Sequence, residues 1–113
     1  MDHAKKIAEL NDAFRKGHRP ELGRIMITSG ARELVNAWPL GEIMLLNQVR
    51  RFDTFTEDND PSNEHDYGCF EFLGEQVFWK IDYYNKSLDG GSEDPADEKQ
   101  TTRVMTIALL SEY

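Results

Sequence analysis

This sequence has few cysteines, no long apolar run and no glycine-rich functional motif. Its 113 residues contain a single cysteine, Cys69, which excludes an internal disulfide framework and a paired Cys-x-x-Cys motif. No apolar run approaches the roughly 20 residues that a membrane-spanning helix needs. Glycine-rich phosphate loops and Gly-x-Ser-x-Gly elbows are also lacking. These absences predict a single cytoplasmic domain, residues 1–113, that has no cofactor and no membrane contact.

Positive charge is scarce in the second half of the chain. Residues 1–52 contain nine Lys or Arg against six Asp or Glu, whereas residues 53–113 contain four against fifteen, for a net charge of −8. Such an acidic surface repels nucleic-acid phosphates, so direct nucleic-acid binding is not expected. A basic protein or a cation is the partner that this charge favours.

Aromatic residues, by contrast, are concentrated between Tyr67 and Tyr84, a stretch that reads as a β-hairpin. A turn at Gly74 and Glu75 would be of type II′, because that type needs a positive φ at its first central residue. In this register Phe72 faces Val77 and Phe70 faces Trp79. The large apolar side chains then share one face of the hairpin, which predicts the core of the protein.

Hydrophobic spacing predicts the remaining elements. Apolar residues three and four apart indicate a helix over residues 2–16, with Asp2 as its cap. A strand is predicted over 23–28, a helical turn over 29–36, a second helix from Leu40 to Arg51, and a strand over 101–110, where a helix is the second choice. The second helix should cover the aromatic face of the hairpin. Its apolar residues at helical spacing are Leu40, Ile43, Met44, Leu46, Val49 and Phe52. The predicted fold is α+β, with two main helices on one face of a three- or four-stranded, mostly antiparallel sheet.

Two segments rich in carboxylates flank the hairpin. The first acidic loop covers residues 53–66 and the second covers residues 85–100. Because the two ends of an antiparallel hairpin lie side by side, we expect these loops to meet at one end of the sheet. The residues predicted to bind a partner are Glu57, Asp58, Asp60, Glu64, Asp66, Asp89, Glu93, Asp94, Asp97 and Glu98.

Several local motifs resemble a family of small proteobacterial proteins classed as a domain of unknown function. The matching motifs are Phe52-Asp-x-Phe55, Asp58-Asn-Asp-Pro61, Glu64-His-Asp-Tyr-Gly68, Trp79-Lys-Ile-Asp-Tyr-Tyr84, Ser92-Glu-Asp-Pro95, Thr102-Arg-Val-x-Thr-Ile107 and Glu112-Tyr113. The resemblance implies no assigned activity. It implies a genetic setting on plasmids and other mobile elements, near antirestriction-type genes. The chain departs from the family at Ser62-Asn63, where relatives often carry His-Gly.

A binding role is the leading interpretation of these features. Carboxylates on a rigid sheet end can imitate the charge spacing of a nucleic-acid backbone and occupy a basic groove. Together with the genetic setting that the resemblance implies, this predicts an inhibitor of a host nucleic-acid-binding defence complex, of anti-CRISPR or antirestriction type. Phe55 and Tyr84 are candidate anchors of the interface.

Two alternatives stay open at this stage. Asp58, Asp60, Glu64 and Asp66 space oxygen ligands as a divalent-cation loop does, although an EF-hand would need Gly at position 63 and Glu at position 69. A small enzyme is the other alternative. His65 lies between two carboxylates in the sequence and close to the thiol of Cys69, which is adjacency without a demonstrated catalytic geometry.

Overall fold

The computed structural model describes residues 3–113, so the predicted cap Asp2 lies outside the described residues. Within this range the chain forms three α-helices, α1 (His3–Arg15), α2 (Ser29–Asn36) and α3 (Gly41–Arg51). The strands are β1 (Gly23–Ile27), β2 (Tyr67–Phe72), β3 (Glu75–Tyr84) and β4 (Thr102–Leu109), with short 3₁₀ turns at Pro20–Leu22 and Leu110–Glu112. None of these helices has the length and apolar character needed to cross a bilayer. The predicted elements are therefore confirmed in type and approximate position.

The four strands form one mixed sheet in the order β1-β4-β3-β2. The β2–β3 and β3–β4 pairs are antiparallel, and β1 joins β4 in parallel. All three helices pack on the same face of this sheet, where Leu10, Val35, Leu45 and Val49 contact a core centred on Trp79. The predicted α+β class, with a mostly antiparallel sheet built around the hairpin, is confirmed.

The register of the hairpin differs from the prediction. Phe70 pairs with Val77 and Gly68 with Trp79, so the two turn residues are Leu73 and Gly74. Both have positive φ values, 51° and 84°, which is the requirement of a type I′ turn and not of type II′. Because the shift is two residues, every side chain keeps the face that the hydrophobic pattern assigns to it.

The size of the tryptophan explains why the observed register is preferred. Gly68 lies directly opposite Trp79, and a Cβ at Gly68 would collide with the indole Nε1 and press on the ring of Phe52. A residue without a side chain at this position leaves room for the largest core residue. In the predicted register the phenyl ring of Phe70 would have occupied the place opposite Trp79.

The orientation of α3 agrees only in part with the prediction. Leu45 and Val49 are buried against the core, whereas Leu40, Ile43 and Met44 point to solvent with exposed fractions of 70%, 57% and 40%. The prediction is therefore wrong for these three residues, whereas the other three that it placed at helical spacing, Leu46, Val49 and Phe52, do pack against the core. Trp38, in the turn before the helix, is 53% exposed and extends the same apolar surface.

Candidate functional site

The two acidic loops are held at one end of the sheet by two buried side chains, Asn11 of α1 and Arg103 of β4. Asn11 Nδ2 donates to the Glu64 carbonyl of the first loop at 2.9 Å, and Arg103 Nη2 donates to the Pro95 carbonyl of the second loop at 2.7 Å. Arg103 Nε donates to Asn11 Oδ1 at 2.6 Å and so joins the two contacts. One buried hydrogen-bonded chain therefore connects both loops.

Tyr83 extends this chain to a carboxylate of the first loop. Its hydroxyl accepts a hydrogen bond from Asn11 Nδ2 at 2.9 Å and donates to Glu64 Oε1 at 2.8 Å. Burial, followed by the hydrogen bond to Glu64, raises the pKa of Tyr83 far above the ordinary value for a phenol. The guanidinium of Arg103 lies 5.3 Å from the centre of the Tyr83 ring. Glu64 is therefore fixed in direction by a tyrosine that stays neutral.

The carboxylates crowd around Asp66. Burial is the largest cause that raises the pKa of Asp66, and the negative charge of Glu64 adds to it, with smaller contributions from Asp60 and Asp82. Within residues 3–113 no Lys or Arg forms an ion pair with Asp66. The ionised form of Asp66 is thus held in an unfavourable environment, as acids at binding sites commonly are.

Replacing Asp66 with asparagine is expected to raise stability at neutral pH. A carboxyl whose pKa is raised by folding stabilises the protein at pH values below its unfolded pKa, and this contribution is lost as pH rises through the folded pKa. Because asparagine does not ionise, it does not lose this contribution at neutral pH. The urea midpoint of Asp66→Asn should therefore exceed that of the wild type at pH 7. The difference should shrink as pH falls toward 3.8, the ordinary pKa of the group. Equal urea midpoints for the wild type and Asp66→Asn at both pH values would contradict the raised pKa of Asp66.

The other carboxylates of the first loop have different surroundings. Asp60 is buried and accepts a hydrogen bond from the backbone amide of His65 at 3.1 Å, so it supports the loop from inside. Glu57 and Asp58 are exposed at the tip of a turn that Thr56 and Asn59 close with reciprocal hydrogen bonds. Glu57 and Asp58 are therefore available to a partner, whereas Asp60 is not.

Several carboxylates of the second loop are engaged within the protein. Arg19 pairs with Glu98, and this contact lowers the pKa of Glu98. Hydrogen bonds lower the pKa of Asp89 and that of Asp97, and Asp94 lies 3.0 Å from His3 Nε2. Glu93 is exposed, and no hydrogen bond or ion pair joins its carboxylate to another residue of the range 3–113. Of the ten predicted residues, Glu57, Asp58 and Glu93 are exposed and have no partner among the described residues, whereas Asp89 is exposed but hydrogen-bonded.

His65 is held by carboxylates that the sequence did not indicate. Its Nδ1 lies 3.0 Å from both carboxylate oxygens of Asp12, its Nε2 lies 3.8 Å from Asp60, and its ring stacks on Phe55 with 3.9 Å between centroids. Cys69 instead lies on the opposite sheet face, with its Sγ 3.8 Å from Gln76 Oε1. The proposed His65 and Cys69 set is therefore not assembled, and His65 connects the first loop to α1.

The cation alternative is not supported by the geometry either. Within residues 3–113, no three His, Cys, Asp or Glu side chains are arranged to hold one ion. Asp60 is buried under His65, Glu64 is bonded to Tyr83, and Asp58 lies at the exposed turn. The oxygens of the four predicted ligands therefore do not converge on a common point.

The predicted interface anchors differ in accessibility. Tyr84 is 36% exposed at the end of β3. Phe55 is instead packed between His65 and Trp79, and the guanidinium of Arg15 lies 5.6 Å from its ring centre. Tyr84 can thus contact a partner, while Phe55 supports the first loop from below.

Sequence reasoning missed the two residues that organise this site, although each left a signal. Asn11 lies four positions after Ile7 and three before Phe14, so it is a polar residue within the apolar stripe of α1. Arg103 alternates with Met105 and Ile107, and it shares their buried face of β4. A polar residue at a core position indicates a buried hydrogen-bond network.

No curated protein and no solved structure matches this chain. A family model described as "Protein of unknown function (DUF3768)" matches residues 27–112. The matched region begins at the end of β1 and contains both acidic loops and Arg103, whereas α1 with Asn11 precedes it. The chain therefore belongs to the DUF3768 family of proteins of unknown function, which confirms the family resemblance found in the sequence.

Proposed function

We propose that this protein acts by binding, and that its two acidic loops form a docking surface for a basic protein. The observation that carries the proposal is the buried connection from Glu64 through Asn11 and Arg103 to Pro95, which holds both loops at one end of the sheet. A surface that is already ordered loses little conformational entropy when a partner binds.

The charge distribution supports the same proposal. Residues 53–113 carry eleven more acidic than basic side chains, and no Lys or Arg of residues 3–113 lies within ion-pair distance of Asp66, whose pKa neighbouring carboxylates help to raise. A field of one sign steers a basic partner toward the surface and suppresses binding of acidic partners. The cost of crowding carboxylates in the free protein would be relieved when a cationic groove covers them.

The specific form of the proposal is an inhibitor of a host nucleic-acid-binding defence complex, of antirestriction or anti-CRISPR type. The exposed carboxylates would occupy the groove that receives the nucleic-acid backbone. The mobile-element setting that the family resemblance implies agrees with this role, because genes of this kind meet host defences when they enter a cell.

A DNA-cleavage assay with purified restriction endonucleases and CRISPR effector complexes tests the proposal. The wild-type protein should slow cleavage by its target complex, and the inhibition should weaken steeply as salt rises. Glu57→Gln combined with Glu93→Gln removes one exposed charge from each loop. This double variant should inhibit about tenfold more weakly, as expected for a loss of roughly 1.4 kcal/mol of binding energy.

A matched control is present at the opposite end of the hairpin. Glu71 and Glu75 are exposed beside the Leu73-Gly74 turn, so Glu71→Gln combined with Glu75→Gln changes the net charge equally at a distant place. The control variant should inhibit as well as the wild type. Equal losses in both double variants, or no inhibition of any complex in the panel, would show that the proposed surface is wrong.

A further inference from the structure

The β1 edge of the sheet is unprotected. Among the described residues β1 pairs only with β4, and the amide of Thr28 donates to the Ile107 carbonyl at 3.0 Å. Along a strand of a parallel pair, every second residue directs its backbone N–H and C=O toward the partner strand. Because Thr28 faces β4, Met26 and Arg24 face it too, and the backbone groups of Ile25 are directed away from β4. Ile25 and Met26 are 43% and 58% exposed, β1 contains no proline, and Arg24 is its one charged residue.

A hollow of about 370 Å³ lies beside this edge. Its apolar wall is formed by Phe14, Pro20 and Ile25, and the side chains of Arg15 and Arg50 complete it. A strand added to β1 would place alternate side chains on this side of the sheet, as β1 itself does with Ile25. The hollow is therefore positioned to receive side chains of such a strand.

Two arginines line the hollow, although the protein as a whole is acidic. The side chain of Arg50 lies against Gly17, and a Cβ at Gly17 would stand 3.4 Å from Arg50 Nε. Within residues 3–113 Arg50 forms no ion pair. Arg15 is 2% exposed and pairs with Asp12 at 3.1 Å, so within this range Arg50 is the arginine of the hollow without an acidic partner. A carboxylate on the added strand would complement Arg50.

We infer that the β1 edge binds an extended acidic segment of a partner protein as a fifth strand. The segment would form main-chain hydrogen bonds with Ile25, insert an apolar side chain between Phe14 and Pro20, and place an Asp or Glu beside Arg50. Main-chain pairing provides affinity in this mode of recognition, and the side-chain contacts provide specificity. This surface uses no residue of the acidic loops, so it is independent of the proposed inhibitory function.

Selection from a phage library of random 12-residue peptides against the full-length protein tests this inference. The enriched peptides should contain Asp or Glu alternating with apolar residues, and their affinity can be measured by fluorescence anisotropy. Ile25→Pro removes an outward amide without breaking the pairing with β4, and it should weaken binding at least about tenfold. Arg50→Gln should weaken binding of the acidic peptides to a similar extent.

Each variant has a matched control. Glu71→Pro removes an outward amide from β2, the opposite edge of the sheet, and Arg51→Gln removes the neighbouring charge, which lines a different hollow. Both controls should bind the peptides with unchanged affinity. Peptides N-methylated at the amides facing β1 should not bind the wild type, and this measurement does not depend on the folding of any variant.

Several results would overturn the inference. These are a lack of enriched peptides, enrichment of peptides without acidic residues, and equal binding to Ile25→Pro and Glu71→Pro. Analytical ultracentrifugation supplies a further check on the occupant. A wild-type dimer that Ile25→Pro dissociates would show that a second copy of the chain occupies the edge in place of an acidic segment.

Discussion

Replacing Trp79 with alanine is expected to lower the free energy of unfolding by about 4 kcal/mol. Trp79 is fully buried, and its ring contacts Phe52 and Phe55 edge-on at centroid distances of 5.6 and 6.2 Å. The guanidinium of Arg15 lies 4.9 Å from the same ring. The truncation therefore leaves a cavity and removes the aromatic partner of a buried cation.

Urea denaturation at neutral pH measures this effect, with an unchanged slope showing that the unfolding transition is still comparable. Trp79→Phe is the control, because it retains an aromatic ring and removes an indole Nε1 that has no hydrogen-bond partner among the described residues. We expect this variant to lose less than half as much stability. A loss below about 1 kcal/mol for Trp79→Ala would contradict the central position of this residue.

Replacing Asn11 with alanine should cost about 3 kcal/mol and loosen both acidic loops. The substitution leaves Arg103 Nε without its acceptor in buried surroundings and the Glu64 carbonyl without its donor in partly buried ones. Hydrogen bonds to charged groups contribute about 1.5–3 kcal/mol each, and an unpaired buried group adds its desolvation cost. Burial already lowers the pKa of Arg103, so its charge tolerates the loss of a partner poorly.

Amide hydrogen exchange distinguishes this prediction from a general loss of stability. Exchange should accelerate in both residues 53–66 and residues 85–100 of Asn11→Ala, more than in the β3–β4 pairing. The control is Glu9→Ala, an exposed position of the same helix, which should change stability by less than about 0.5 kcal/mol. If only one loop loosens, the two loops do not depend on a common support.

The elements that were correctly predicted are those that local spacing defines. Ile7, Leu10 and Phe14 are three or four residues apart and form the buried stripe of α1, and the apolar, β-branched run over 101–110 contains β4. The face of α3 was predicted only in part. The helical period included both Val49, which is buried, and Ile43, which is exposed, and only packing against the sheet separates the two.

The candidate site, too, was predicted from the sequence only in part. The two acidic loops and their position at the hairpin ends follow from composition and from antiparallel pairing. The partners of the individual carboxylates could not be predicted from the sequence, because these partners come from distant parts of the chain. Asp12 is 53 positions from His65, and Arg19 is 79 positions from Glu98. No local pattern separates Glu93, which is accessible, from Glu98, which is paired.

The sequence by itself determined the class of fold, the positions of the helices and strands, and the separation of charge between the two halves, because each depends on residue type and spacing along a short segment. The tertiary structure decided the hairpin register, the buried side of α3 and the set of accessible carboxylates. Those outcomes depend on the room that Gly68 leaves for Trp79, on helix packing, and on side chains such as Asn11 and Arg103, which meet across 92 positions of sequence.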